Sequence, residues 1–248
     1  MFYHLLNTGQ FKIDLTIADV EDLNGRALNH ELDISKVSLY TAVKVMDHYT
    51  LLDSGAALGK NCGPLLVARR DREQHELKDA TIAVPGRHTT ANLLFTLFSR
   101  GQGKKVFMTF DQIMPAVQES AVDFGVIIHE GRFTYHSYGL TEIVDLGKWW
   151  VDFSGMPIPL GGVIAKNDLP KDLRDTFSRA LRDSIVKAFS QKNNYGAPIY
   201  SFIREHAQEM DQDVIDRHID LYVNDYSLSL GEEGRATIKK LSELAENL

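Results

Sequence analysis

His129 follows the run Phe124-Gly125-Val126-Ile127-Ile128, which contains no polar residue. Such a run reads as a strand buried on both faces. His129 is therefore expected at the C-terminal end of a strand, where open α/β sheets place their ligands. An imidazole titrates near neutrality, which suits a general base. A structural histidine bonded to a loop carbonyl fits the same place, and on residue type alone it is the more economical reading. Two further junctions invite chemistry. Ile34-Ser35-Lys36-Val37-Ser38 reads as a strand ending at a residue that caps helices well. In Val84-Pro85-Gly86-Arg87-His88-Thr89-Thr90-Ala91, glycine permits a tight turn and a threonine can cap the next helix. A helix N-terminus offers free N–H groups and partial positive charge to a carboxylate or phosphate. Ordinary capping accounts for both junctions without any ligand.

Other residue types point away from several chemistries. The nine histidines show no zinc spacing, and the single cysteine, Cys62, has no partner for a thiolate metal site. No metal is expected. Cys62 reads as a small buried residue rather than a nucleophile. Ser54 lacks the Gly-x-Ser-x-Gly elbow, and Gly55, Gly59 and Gly63 fit neither a Walker loop nor a dinucleotide fingerprint. Trp149 and Trp150, with Met156-Pro157-Ile158-Pro159, can wall a ligand cleft or pack a core, and the sequence favours neither.

Positioning these residues falls to an alternation of short apolar strands and amphipathic helices. Strands are expected at Ile13–Ala18, Ile34–Val37, Thr50–Asp53, Pro64–Ala68, Thr81–Val84, Val106–Phe110 and Phe124–Ile128. Helices are expected at Asp19–His30, Leu39–His48, Thr89–Arg100 and Ile113–Glu119. The alternation implies a parallel or mixed sheet with covering helices. The C-terminal third is helical: Asp168 can cap a helix with Pro170 near its first turn. Leu173, Phe177, Leu181, Ile185 and Phe189 then form one apolar stripe. Helices follow at about Ala197–Glu209, Gln212–Val223 and Glu232–Glu246. A helical tail needs a surface to cover, most simply the first α/β unit, which gives two lobes: residues 1–80 with 161–248, and residues 81–160.

The chain has 248 residues, and 27 Lys+Arg against 34 Asp+Glu leave a formal charge of −7. That balance is a poor match to nucleic acid. No stretch reaches the roughly 18 apolar residues of a membrane span. The first residues lack a secretory pattern and there is no cysteine pair, so a cytoplasmic location is expected.

Several segments recur together, in order, in one family. They are Leu52-Asp53-Ser54-Gly55-Ala56-Ala57-Leu58-Gly59, Gly63-Pro64-Leu65-Leu66-Val67-Ala68-Arg69, Ala83 to Ala91 and Ile127-Ile128-His129-Glu130-Gly131-Arg132-Phe133-Thr134-Tyr135. Val144-Asp145-Leu146-Gly147-Lys148-Trp149-Trp150 and Pro157-Ile158-Pro159-Leu160-Gly161-Gly162 follow, then Tyr222-Val223-Asn224 and Leu230-Gly231-Glu232-Glu233-Gly234. The chain closely resembles the 1,4-dihydroxy-6-naphthoate synthases of the futalosine route to menaquinone, over nearly its whole length. The resemblance implies an α/β, two-lobed fold of the periplasmic-binding-protein type II kind, with mixed sheets, flanking helices and the site in the cleft. It implies a carbon–carbon lyase that converts cyclic dehypoxanthine futalosine to 1,4-dihydroxy-6-naphthoate without a cofactor. His129 takes the place of the family's proton acceptor, and Lys36, Val37, Ser38, Thr90 and Ala91 match its substrate-binding segments. Family members carry a further strand and loop ahead of the helix equivalent to Phe2–Asn7, so the N-terminal strand of lobe one is expected to be missing here. A chorismate dehydratase of the same pathway and a non-catalytic solute-binding protein for an anion are the competing readings.

Overall fold

A computed structural model describes residues 1–206 and 211–246. Helix α1 spans Tyr3–Leu6 and α2 Val20–Leu28. Strand β1 (Ile34–Ser38), α3 (Leu39–Lys44), β2 (Tyr49–Leu51) and β3 (Ala57–Gly59) follow. The middle of the chain supplies β4 (Leu65–Arg69), β5 (Thr81–Val84), α4 (Thr90–Ser99), β6 (Lys104–Phe107), α5 (Phe110–Gln118) and β7 (Phe124–Ile127). Then come α6 (Gly131–Thr134), β8 (Leu140–Asp145), α7 (Leu146–Ser154) and β9 (Ile158–Lys166). The tail consists of α8 (Lys171–Ser190), α9 (Pro198–His206), α10 (Gln212–Tyr222), α11 (Asp225–Leu228) and α12 (Gly231–Ala245). The last three positions of the helix expected over 197–209 lie outside the described residues.

Two sheets result. In the first, β9 is the hub, with β1 antiparallel on one side and β2 and β3 antiparallel on the other. The second has the order β6-β5-β7-β4-β8. There β5 runs parallel to β6 and β7, while β4 is antiparallel to β7 and β8. The second sheet is mixed, as the alternation of elements implies, while the described pairings of the first are all antiparallel. Strand β4 lies within the residues 1–80 assigned to one lobe, yet it hydrogen-bonds into the second sheet. The first crossing between sheets therefore falls between Gly59 and Leu65 rather than at residue 80. The return crossing runs through 155–157, between α7 and β9. A mostly apolar strand pairs with whichever edge tertiary folding presents, and nothing local marks which sheet that is.

The two faces of β9 are buried differently. Val163 and Ala165 pack against Phe177, Leu181 and Ile185 of α8, together with Leu5. Ile158 and Ile164 pack on the other side with Leu39, Trp150, Ile238 and Leu241. The stripe read from α8 is thus the face that meets the first sheet, although its first member, Leu173, is exposed. Pro170 rather than Asp168 occupies the N-cap of α8, and Asp168 lies 3.8 Å from Lys166 instead.

The segment Ile13–Ala18 forms no paired strand. Ile13, Leu15 and Ile17 are 38%, 48% and 64% exposed. Their alternation with polar residues is genuine, but a strand exists only where a neighbour accepts its hydrogen bonds. Similarly, Phe110 opens α5 rather than closing β6. Strand β7 meets its expectation, with all four residues buried and partners on both sides.

Candidate active site

A cavity of about 910 Å³ opens between the two sheets. Lys36, Val37 and Ser38 reach it from β1, and Thr89, Thr90 and Ala91 from the start of α4. The loop after β7 contributes Ile128, His129 and Glu130. All six residues expected at the site therefore line one space.

His129 has a backbone φ of +54°, the left-handed region that non-glycine residues seldom adopt. Holding it there costs on the order of 1 kcal/mol. Its ring meets Phe110 edge-on, with centroids 5.1 Å apart. Burial foremost lowers its pKa from 6.5 to about 4. Glu130 and Asp19 oppose that shift, while His218 and Lys36 add to it. The imidazole is thus neutral at physiological pH and able to accept a proton. The loop is anchored by Arg132, whose guanidinium donates to the Asp145 carboxylate and, at 3.0 Å, to the carbonyl of Gly63. Asp145 also accepts the Lys148 N–H at the start of α7. One ion pair thereby joins two segments that lie apart in sequence.

Lys36 stands in the open cavity, surrounded by protein walls that lower its pKa. Its ammonium makes no hydrogen bond or ion pair among the described residues, so it is available to an anion. The two hydroxyls behave otherwise than capping alone suggests. Ser38 precedes α3 without capping it: its N–H donates to Asn24 Oδ1 at 2.9 Å and its Oγ accepts from Asn24 Nδ2 at 3.1 Å. Thr90 Oγ1 donates to the Leu160 carbonyl at 2.9 Å and accepts the Tyr40 N–H at 3.1 Å. Both hydroxyls serve protein partners first. Thr89 is the side chain that caps α4, accepting from the Asn92 N–H at 3.1 Å. The Thr90 and Ala91 N–H groups, in the first turn of α4, have no intrahelical acceptor and carry the positive end of the helix dipole.

The turn before α4 is held from the other side of the cavity. Both carboxylate oxygens of Glu21, in α2, lie 3.0 Å from the His88 nitrogen and accept its N–H. Gly86, at φ +151°, makes room for that carboxylate: a Cβ there would stand 2.4 Å from Glu21 Oε2.

Residues not foreseen also line the cavity: Asp19 at the start of α2, Phe110 and Asp111 at the start of α5, and His218 and Tyr222 from α10. The spacing of His218 and Tyr222 puts them on one helix face, but a surface helix shows the same spacing. Trp149 and Trp150 are packing residues. Trp150 is fully buried and its Nε1 donates to the Pro157 carbonyl, while Trp149 stacks on Phe153 and meets Phe98 edge-on. Cys62 is buried, and burial pushes its thiol up to about 12, as an inert core residue requires. Ser54 donates to the Leu228 carbonyl. Among the described residues no group of three or more His, Cys, Asp or Glu could hold a metal ion, and no helix is long and apolar enough to cross a membrane.

A family model described as menaquinone biosynthesis matches residues 1–247. A 1,4-dihydroxy-6-naphthoate synthase of Streptomyces coelicolor is 42% identical over 92% of this chain and 81% of its own length. The enzyme of the same name from Thermus thermophilus is 41% identical over 94% of this chain and 84% of its own length. A crystal structure of an Archaeoglobus fulgidus protein matches with TM-score 0.91 and 35% identity, over 99% of this chain and 91% of that one. The ligand-binding component of an ABC-type import system from Staphylococcus aureus matches with TM-score 0.70 at 14% identity, over 96% and 83% of the two chains. That last likeness is one of fold.

Proposed function

The chain belongs to the menaquinone-biosynthesis family, and from that premise we propose that it is a carbon–carbon lyase converting cyclic dehypoxanthine futalosine to 1,4-dihydroxy-6-naphthoate in the cytoplasm, with His129 as proton acceptor. The observation that carries the residue assignment is the convergence of a neutral imidazole, an unpaired lysine and a helix N-terminus on one cavity. Lys36 and the first turn of α4 attract the substrate carboxylate locally, although the protein as a whole is negative.

His129 removes a proton as the carbon skeleton separates. Negative charge then develops on the substrate, and the α4 N–H groups and the Lys36 ammonium are placed to stabilise it. A pKa of about 4 makes His129 by itself a weak base. An anionic substrate that neutralises Lys36 removes one of the charges holding that pKa down, so binding itself strengthens the base. Relative motion of the two sheets around the crossings at 60–64 and 155–157 would exclude water, as hinged two-lobed proteins do.

Two 1,4-dihydroxy-6-naphthoate synthases, each over 40% identical, support this reading over a chorismate dehydratase. The solute-binding neighbours are relatives in fold alone. The test is incubation of purified protein with cyclic dehypoxanthine futalosine, with mass spectrometry for the naphthoate. Wild type turns over, and folded His129→Ala loses roughly 10²–10⁴-fold in kcat. A folded His129→Ala variant with the wild-type rate overturns the assignment of the base. Saturable binding without turnover overturns the enzymatic reading.

A further inference from the structure

The cavity holds a second imidazole, supplied by the C-terminal tail. His218 sits one helical turn before Tyr222, and their rings are 4.6 Å apart. It faces His129 with ring planes 24° apart and centroids separated by 6.5 Å. Its Nδ1 lies 3.5 Å from Glu130 Oε1, and both side chains are largely enclosed. No closer partner reaches that buried nitrogen among the described residues. The residue that faces the proposed base thus has the next residue of the same loop as its neighbour.

We propose that His218 is a further substrate-contacting residue of this site, with Glu130 as the group that positions it. A neutral imidazole has one N–H donor and one acceptor nitrogen, and a carboxylate beside one nitrogen decides which is which. Glu130 against Nδ1 places the hydrogen there and leaves Nε2 as an acceptor. The partner suited to a neutral acceptor in a largely enclosed site is a ligand hydroxyl. The separation of 3.5 Å is long for a hydrogen bond, and such contacts tighten when the ligand-bound site closes. Enclosure by protein foremost, with the positive charge of Lys36 adding to it, keeps His218 neutral. The site thereby presents two facing neutral imidazoles, one to take a proton and one to hold a hydroxyl in register. The inference rests on the proposed lyase reading, which supplies a hydroxylated substrate.

The experiment compares steady-state kinetics of wild type, His218→Asn, Glu130→Gln and the double variant with cyclic dehypoxanthine futalosine. Asparagine retains a donor close to Glu130 but has nothing at the Nε2 position, so kcat/KM falls at least tenfold with an unchanged melting temperature. Glu130→Gln also lowers kcat/KM, and the double variant loses less than the product of the two single losses, because part of the Glu130 effect runs through His218 and the rest through its charge beside His129. His218→Leu, which carries no acceptor at all, serves as the second variant should asparagine not fold. Wild-type kcat/KM in a folded His218 variant overturns the proposal while leaving the lyase reading intact. Strictly multiplicative losses in the double variant overturn the Glu130 role. A wild-type protein that does not turn over this substrate overturns the lyase reading, and this inference with it.

Discussion

The Thr90 hydroxyl donates to the carbonyl of Leu160 at 2.9 Å, tying the first turn of α4 to the hub strand of the other sheet. The same oxygen accepts the Tyr40 N–H at 3.1 Å. One buried side chain therefore closes the edge of the cavity where the two sheets approach each other.

Thr90→Val keeps the shape of the residue and removes both bonds. Two backbone groups lose their partner, at a cost of about 1–3 kcal/mol. For a chain of this size each kcal/mol lowers the melting temperature by roughly 2–4 °C. Thr90→Ser, which keeps the oxygen, melts close to wild type. Equal melting of Thr90→Val and wild type in a calorimeter would contradict the bridging role.

Lys36→Met removes a cation that forms no ion pair among the described residues, so folding suffers little while substrate binding weakens. KM rises about tenfold or more, as expected for a charge-assisted contact worth roughly 1.5–3 kcal/mol. The wild-type KM also rises with salt, and the variant loses most of that dependence. An unchanged KM would remove Lys36 from the substrate site.

Stability depends on pH through the two cleft histidines. Both have folded pKa values near 4, against 6.5 when unfolded. Between those values the unfolded chain binds more protons than the native one, so stability rises with pH. Their neutral forms are fully tolerated above about pH 6.5, and stability is lost as pH falls towards 4. Denaturant midpoints measured from pH 4 to 7.5 show this slope, and His129→Gln and His218→Asn each flatten it. Variants with the wild-type slope would place the titration elsewhere.

Arg132→Met deprives the Asp145 carboxylate and the Gly63 carbonyl of a donor in a largely enclosed place. The loss is about 2 kcal/mol. Asp145 keeps the Lys148 N–H, so the fold survives, but the loop bearing His129 loosens and kcat falls more than KM changes. A thermal melt and a kinetic split read the two effects separately.

Much of this protein is local in origin. The all-apolar run before His129 required a doubly covered strand, and β7 is one. Thr89 caps α4 because its type and place demand it, and the α8 stripe follows from spacing. The segments of the family resemblance likewise lie in sequence as written, and with them the expectation that Lys36, Thr90 and His129 share a cleft.

The rest depended on what each group meets in space. Ile13–Ala18 alternates like a strand but is offered no sheet edge. Strand β4 joined the second sheet because β7 and β8 supplied edges there. The Ser38 and Thr90 hydroxyls look free in sequence, yet Asn24, Tyr40 and Leu160 claim them. His218 lies 89 positions from His129 in the chain and becomes its neighbour only when α10 folds back over the cleft. Sequence sets backbone preference and side-chain type, because steric and capping forces act over a few residues. Hydrogen-bond capacity and charge are neutral as to partner, so only the folded chain decides which group satisfies them.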